Sequence, residues 1–177
     1  SRDGTRTVLV CATNGDVGEI SDASLATPET LGEVRRAEMR CAAEALGLSE
    51  LVFLGYRDSG MAGTPDNEHA DSLAEAPEDE VVRRLVGGIR RTRPHVVVTF
   101  DPIGGYGHPD HIQVLRVGHR WAEMAGIDRV RWVTMNRDAL RASIKAALAD
   151  EDSWSDAGML ELRRERADSE SFGMPDP

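Results

Sequence analysis

The sequence predicts an α/β domain, a Rossmann-like three-layer sandwich in which helices cover a mostly parallel sheet. Three observations carry this. Short apolar, β-branched runs at residues 7–13, 51–54, 96–100 and 130–135 alternate with longer stretches of helical periodicity. Continuous apolar runs suit parallel strands buried on both faces, and strand–helix alternation implies right-handed crossovers between parallel strands. The most unusual loops each follow a strand, at the sheet edge where ligands bind in such folds.

The first strand, Thr7-Val8-Leu9-Val10-Cys11-Ala12-Thr13, gives way to a Gly-rich loop over 14–26. A helix is predicted next, with Thr27 as cap, Pro28 at its first position and an end near Gly47. Leu31, Val34, Cys41, Ala42 and Ala45 recur at helical spacing and predict one buried face. The strand at 51–54 leads into a polar stretch over 55–77, long enough to be functional or mobile. The helix from Glu78 to about Arg91 opens on acids and closes on arginines, as the macrodipole favours. It carries Val81, Val82, Leu85, Val86 and Ile89 on one face, and Gly87-Gly88 allow close approach. Then come the strand at 96–100, a turn, a helix to about Ala125 and the strand at 130–135. The acid- and arginine-rich tail over 150–168 fits helix or disorder.

At 177 residues with 40% hydrophobic content, the chain suits a single domain over 1–177. No apolar run approaches the ~20 residues of a membrane helix, so no membrane partner is expected. A net charge of −10 argues against a nucleic-acid partner, and the arginines at 83–84 and 90–93 read as a solvated helix face. Cys11 and Cys41 form no framework and read as buried, reduced thiols of a cytoplasmic protein. No Gly-x-Gly-x-x-Gly follows the first strand and no P-loop occurs, which excludes the common nucleotide-binding motifs.

Chemistry concentrates in Asp101-Pro102-Ile103-Gly104-Gly105-Tyr106-Gly107-His108-Pro109-Asp110-His111. Pro109 suits a first helical position. His108 then falls at the cap and His111 one turn in, on the same side. Imidazole is the commonest protein ligand for zinc. His69 reads as solvated, His95 as structural and His119 as off this cluster. Trp121 and Trp132 read as core, and Trp154 has no assignment.

With that segment go Ala12-Thr13-Asn14-Gly15-Asp16-Val17-Gly18-Glu19, then Gly55-Tyr56-Arg57-Asp58-Ser59-Gly60-Met61, then Arg93-Pro94-His95 through Pro102. In this order the motifs resemble the LmbE/PIG-L zinc-dependent deacetylases, and the run from Arg57 to Thr64 is most similar to the actinobacterial, mycothiol-deacetylase-like branch. The resemblance implies Zn²⁺ as cofactor, with His111 as a metal ligand. It implies that His108 steadies the oxyanion or protonates the leaving amine, that Asp110 orients His108, and that Tyr106 polarises the substrate carbonyl. Arg57 and Asp58 match sugar-contacting positions, with a loop-anchoring ion pair as the alternative. Asp16 and Glu19 either reach the pocket or make local turn bonds.

Family members open with a strand ending in His-Pro-Asp-Asp, which supplies two zinc ligands and a general base. That motif does not occur in these 177 residues, and a strand-plus-helix unit of this kind is roughly 30 residues or more. The sheet is therefore expected to lack its first strand, and the domain to be incomplete at its N-terminus and at its C-terminus. Such a chain by itself is expected to be poorly stable or to pair with another. The implied function is hydrolysis of an acetamide on an N-acetylglucosaminyl conjugate, a small-molecule partner. The alternatives are a mycothiol-conjugate-type amidase and a non-catalytic carbohydrate-binding remnant.

Overall fold

A computed structural model describes residues 4–149. The element order is β1 (Val8–Thr13), α1 (Leu31–Leu46), β2 (Glu50–Tyr56), α2 (Glu78–Ile89), β3 (Val97–Phe100), α3 (Gly104–Gly107), α4 (Pro109–Ala125), β4 (Val130–Val133) and α5 (Arg137–Ala149). Helix α5 has no counterpart in the sequence reading. Asn136 opens it by accepting the Ala139 N–H at 2.8 Å, as an N-cap does. The tail over 150–168 and Trp154 lie outside the described residues.

Both strand pairs among the described residues are parallel, as predicted. β1 runs beside β2 with Val8 opposite Glu50 and Val10 opposite Val52. β3 runs beside β4 with Val97 opposite Val130 and Phe100 opposite Val133. The expected single sheet is instead two pairs, β1–β2 and β3–β4, with no ladder joining them among the described residues. Burial follows from this. β1 is half-buried along its whole length rather than enclosed, Val98 of β3 is 62% exposed and Trp132 of β4 is 46% exposed. Trp132 is thus not a core residue. It lies on a mostly exposed strand and donates its indole N–H to His119 Nε2 at 3.0 Å.

Helices bridge the two pairs, with β2 packed on α2, α2 on α4 and α4 on β3. The core between them comprises Tyr56, Leu73, Val81, Val82, Leu85, Ile89 and Val117, and each buried Val or Leu contributes roughly 1.5–3 kcal/mol. Gly88 permits the approach of α2 to β2, because a Cβ there would stand 2.8 Å from Val52 Cγ1. Trp121 packs against this core, as predicted.

Helix α1 departs from its predicted pattern. It starts at Leu31 with Thr30 as N-cap, because Thr27-Pro28 closes a separate turn: the Thr27 N–H bonds Thr30 Oγ1 at 2.9 Å, and the Thr27 carbonyl accepts from Thr30 and Leu31. Of the predicted apolar face only Leu31 is buried. Val34 is half-buried, and Cys41, Ala42 and Ala45 are exposed. Arg36 and Arg40, one turn apart, instead meet β2 over the Phe53 ring at 4.8 and 5.7 Å, a cation–π contact that needs no apolar stripe. Cys41 is therefore an exposed thiol and Cys11 a half-buried one.

The polar stretch after β2 is anchored firmly. Arg57 pairs with Ser72 in an isolated parallel bridge, and Ser59, Ser72 and Leu73 are fully buried. The loop returns to the core because its backbone groups are satisfied there rather than by water.

Candidate active site

The loops that follow β1, β2 and β3 carry the predicted site residues. At the start of α4 the local chemistry behaves as the sequence implied. Pro109 occupies the first turn, and His108 caps the helix, its Nδ1 accepting the Asp110 N–H at 3.2 Å. A neutral His108 therefore carries its proton on Nε2. His111 sits one turn on and bonds the Gly104 carbonyl through Nδ1 at 3.0 Å. A carbonyl can only accept, so Nδ1 is the protonated nitrogen and Nε2 keeps its lone pair.

The two imidazoles stack with centroids 4.8 Å apart, and His111 lies flat on Phe100 at 3.8 Å. Burial, aided by the neighbouring His108, holds the His111 ring below the ordinary histidine range, against the Gly104 bond, which acts the other way. Tyr106 presents its ring edge-on to both, at 5.9 Å from His108 and 5.2 Å from His111, and is 43% exposed. It belongs to a turn in which Gly104 and Gly105 have φ of 65° and 73°, a region that favours glycine.

Asp110 is buried, and its carboxylate is gripped by Ser59. The Ser59 N–H donates to Oδ2 at 3.2 Å and the Ser59 hydroxyl to Oδ1. Burial pushes this carboxyl above the usual range, against the two Ser59 bonds, which lower it. Asp110 contacts His108 through its backbone N–H, while its carboxylate is turned to Ser59. Asp58 is buried beside them. Its carboxylate accepts the Gly60 N–H at 2.8 Å, and its own N–H donates to Asp16 Oδ1 at 3.2 Å.

Arg57 pairs with Asp66 and, at 3.9 Å, with Asp16, so the loop-anchoring geometry is present. Glu19 is exposed, and its carbonyl meets Arg35 Nη2 at 3.5 Å. His69 is exposed beside Asp71, and His119 stands apart with Trp132. A polar cavity of about 640 Å³, lined among others by Asn14, Asp16, Tyr56, Arg57, Glu80 and Arg84, includes none of the clustered histidines and aspartates and is linked to them through Asp16, which accepts the Asp58 N–H. Two of its lining residues bury a polar atom without a partner, Asn14 Oδ1 and Arg57 Nε.

Ligand atoms of Asp58, His108 and Asp110 lie within 4.8 Å of one another, the group among the described residues able to hold a metal ion. This triad differs from the predicted arrangement, in which His111 was the ligand. His111 stands directly beside it, with Nε2 left free by the Gly104 bond. His108, accepting at Nδ1 and protonated on Nε2, has no lone pair to offer, so the carboxylates of Asp58 and Asp110 with the neighbouring Nε2 of His111 are the mixed oxygen and nitrogen donors that fit a divalent cation.

Several contributors carried no visible role in the sequence. Ser59 lies inside a quoted motif, but nothing local points it at Asp110. Asp101 is wholly buried, and Thr134 reaches it from beyond β4. Arg35 is not singled out by the sequence, yet its guanidinium lies against Gly15 and Gly18, 2.6 Å from where a Gly18 Cβ would be.

Comparison with known proteins finds relatives by sequence and by fold. The relatives include proteins named 1D-myo-inositol 2-acetamido-2-deoxy-alpha-D-glucopyranoside deacetylase. That of Geodermatophilus obscurus is 38% identical over 169 residues, covering 83% of this chain and 58% of the relative. That of Acidothermus cellulolyticus is 39% identical over 184 residues, covering 98% and 61%. The chain thus spans about three-fifths of the length of these two relatives. An N,N'-diacetylchitobiose deacetylase from Pyrococcus horikoshii is similar in fold, with TM-score 0.52 and 20% identity over 97% of this chain and 72% of that one. The family model for PIG-L, described as GlcNAc-PI de-N-acetylase, matches residues 1–122, and by that match the chain belongs to the PIG-L family.

Proposed function

We propose that the protein hydrolyses the acetamide of an N-acetylglucosaminyl conjugate, with a bound Zn²⁺ and a small amino-sugar conjugate as substrate. The observation that carries this reading is the pair of stacked histidines in opposite tautomers. His111 offers a lone pair at Nε2, the state a metal ligand needs, while His108 offers an N–H at Nε2, the state an oxyanion donor needs.

Zinc bound here would lower the pKa of a water molecule to ~7 and polarise the amide carbonyl. The chain's own residues do the rest. His111 Nε2 supplies one ligand. His108 Nε2–H is oriented by the Asp110 backbone bond and donates to the developing oxyanion without leaving the ring. One donor of this kind is worth about 10²–10³ in rate. Tyr106, open to solvent and edge-on to both rings, is placed to donate to the substrate carbonyl. Asp58 contacts the sugar. Asp16, Arg57 and the polar cavity that they line receive the remainder of the conjugate. Glu19 lies at the rim of the same loop. Unpaired Cys11 and Cys41 support a reducing compartment, the cytoplasm.

The test is metal content and amine release on the purified protein with an N-acetylglucosaminyl-inositol substrate. About one zinc per chain and hydrolysis sensitive to chelation are expected, with His111→Ala losing both. Unchanged zinc uptake in His111→Ala, or hydrolysis that survives full chelation, overturns the reading.

A further inference from the structure

We propose that Asp101 is a positioning residue that sets the tautomer of His111 through a single peptide unit, the one joining Gly104 to Gly105. The Gly105 N–H donates to Asp101 Oδ1 at 2.7 Å, and the carbonyl of the same peptide, on Gly104, accepts from His111 Nδ1 at 3.0 Å. A carboxylate only accepts. It draws the peptide N–H toward itself and, by polarising the amide, makes the opposite carbonyl oxygen a stronger acceptor. That oxygen demands a donor, so the proton of the neutral His111 ring resides on Nδ1 and Nε2 faces outward as a lone pair. Ligand histidines usually have their second nitrogen fixed by a carboxylate or a carbonyl. Here the two are in series.

The geometry is held from both sides. Asp101 is wholly buried, and its second oxygen accepts the Thr134 hydroxyl at 2.6 Å. Thr134 follows β4, so the end of one parallel pair clamps the carboxylate that arranges the histidine at the start of α4. The peptide can turn its N–H to Asp101 and its carbonyl to His111 because both flanking residues are glycines at positive φ. A side chain on Gly104 would meet His111 Cβ at 3.1 Å.

The inference rests on His111 being a metal ligand only for its consequence. The tautomer itself is measurable without metal. In ¹⁵N-histidine-labelled, metal-free protein, above the titration of the ring, long-range ¹H–¹⁵N spectra are expected to show His111 protonated on Nδ1. Asp101→Ala is expected to populate the Nε2–H form and to weaken Zn²⁺ and Co²⁺ binding by about 10–100-fold. Asp101→Asn keeps an acceptor for Gly105 and a partner for Thr134, so it is expected to fold. It is also expected to move the His111 Nδ1 resonance and to weaken metal binding by less than Asp101→Ala does. An Nε2–H tautomer in the parent protein overturns the proposal. So does a folded Asp101→Asn whose His111 spectrum and metal affinity both match the parent. Absence of metal binding in the parent would instead overturn the deacetylase reading and leave the tautomer result standing.

Discussion

Ser59 and Asp110 stand 51 positions apart and meet in the interior through two hydrogen bonds, one from the Ser59 N–H and one from its hydroxyl. The same Ser59 oxygen accepts the Ala74 N–H at 2.9 Å. One side chain thus joins the loop after β2, the start of α2's approach and the first turn of α4. Ser59→Ala removes the hydroxyl donor and the acceptor together, leaving buried groups unsatisfied. A loss of about 1–3 kcal/mol is expected in urea denaturation, together with a further rise in the Asp110 pKa. Stability within about 0.5 kcal/mol of the parent would show that water replaces both bonds.

Gly104 and Gly107 offer a controlled comparison. Both have positive φ, 65° and 87°, so an alanine at either is strained by roughly 1–2 kcal/mol. A Cβ on Gly107 meets nothing within 4 Å, whereas one on Gly104 stands 2.9 Å from Ile112 Cγ1 and 3.2 Å from the Ile112 backbone nitrogen. Helix α4 cannot yield there without losing its first turn. Gly104→Ala is expected to destabilise by more than Gly107→Ala, and equal melting shifts for the two would contradict this contact.

Arg57 separates anchoring from substrate contact. Its ion pairs with Asp66 and Asp16 are partly exposed, and pairs of this kind contribute about 0.2–1 kcal/mol. Arg57→Lys keeps the charge and loses the planar fork. A stability change below about 1 kcal/mol with a clear rise in KM is expected if the guanidinium also meets the conjugate. Unchanged KM with a larger stability loss would assign Arg57 to the loop alone.

Tyr56 provides the pH test. Its phenol is pushed up to about 12, first by burial and then by its bond to Glu80, while Arg84 over the ring opposes this. The neutral form is favoured in the fold. Between the ordinary value near 10 and about 12 the unfolded chain therefore loses its proton first, and stability falls as pH rises through that window. Ultraviolet titration of tyrosinate is expected to show a late step near 12 that vanishes in Tyr56→Phe. A titration without that step would show that the ring is more accessible than its 5% exposure indicates.

Much of the architecture was legible because its signals are local. Apolar runs, the Gly47 stop of α1, the Pro109 start of α4 and the buried face of α2, apart from Val86, which is 39% exposed, depend on neighbours within a turn or two and appear where the residues imply. The apolar positions of α1 misled because Arg36 and Arg40 on Phe53 do the packing expected of Val34 and Cys41. Periodicity registers hydrophobicity and is blind to a guanidinium lying on a ring. Trp132 misled for a related reason: residue type implies a core only when the strand is enclosed, and β4 is mostly exposed.

By itself the sequence determined the α/β order, the parallel strands and the His108-Pro109-Asp110-His111 helix start, since capping and strand patterning act over a few residues. Only the tertiary structure decided that Ser59 holds the Asp110 carboxylate, that Asp58 joins His108 and Asp110, and that Thr134 clamps Asp101 from 33 positions away. Those pairings depend on how two strand pairs and the helices between them bring distant loops to one edge. A hydrogen bond between such loops leaves no periodic trace in the chain, because its partners are chosen by proximity in space.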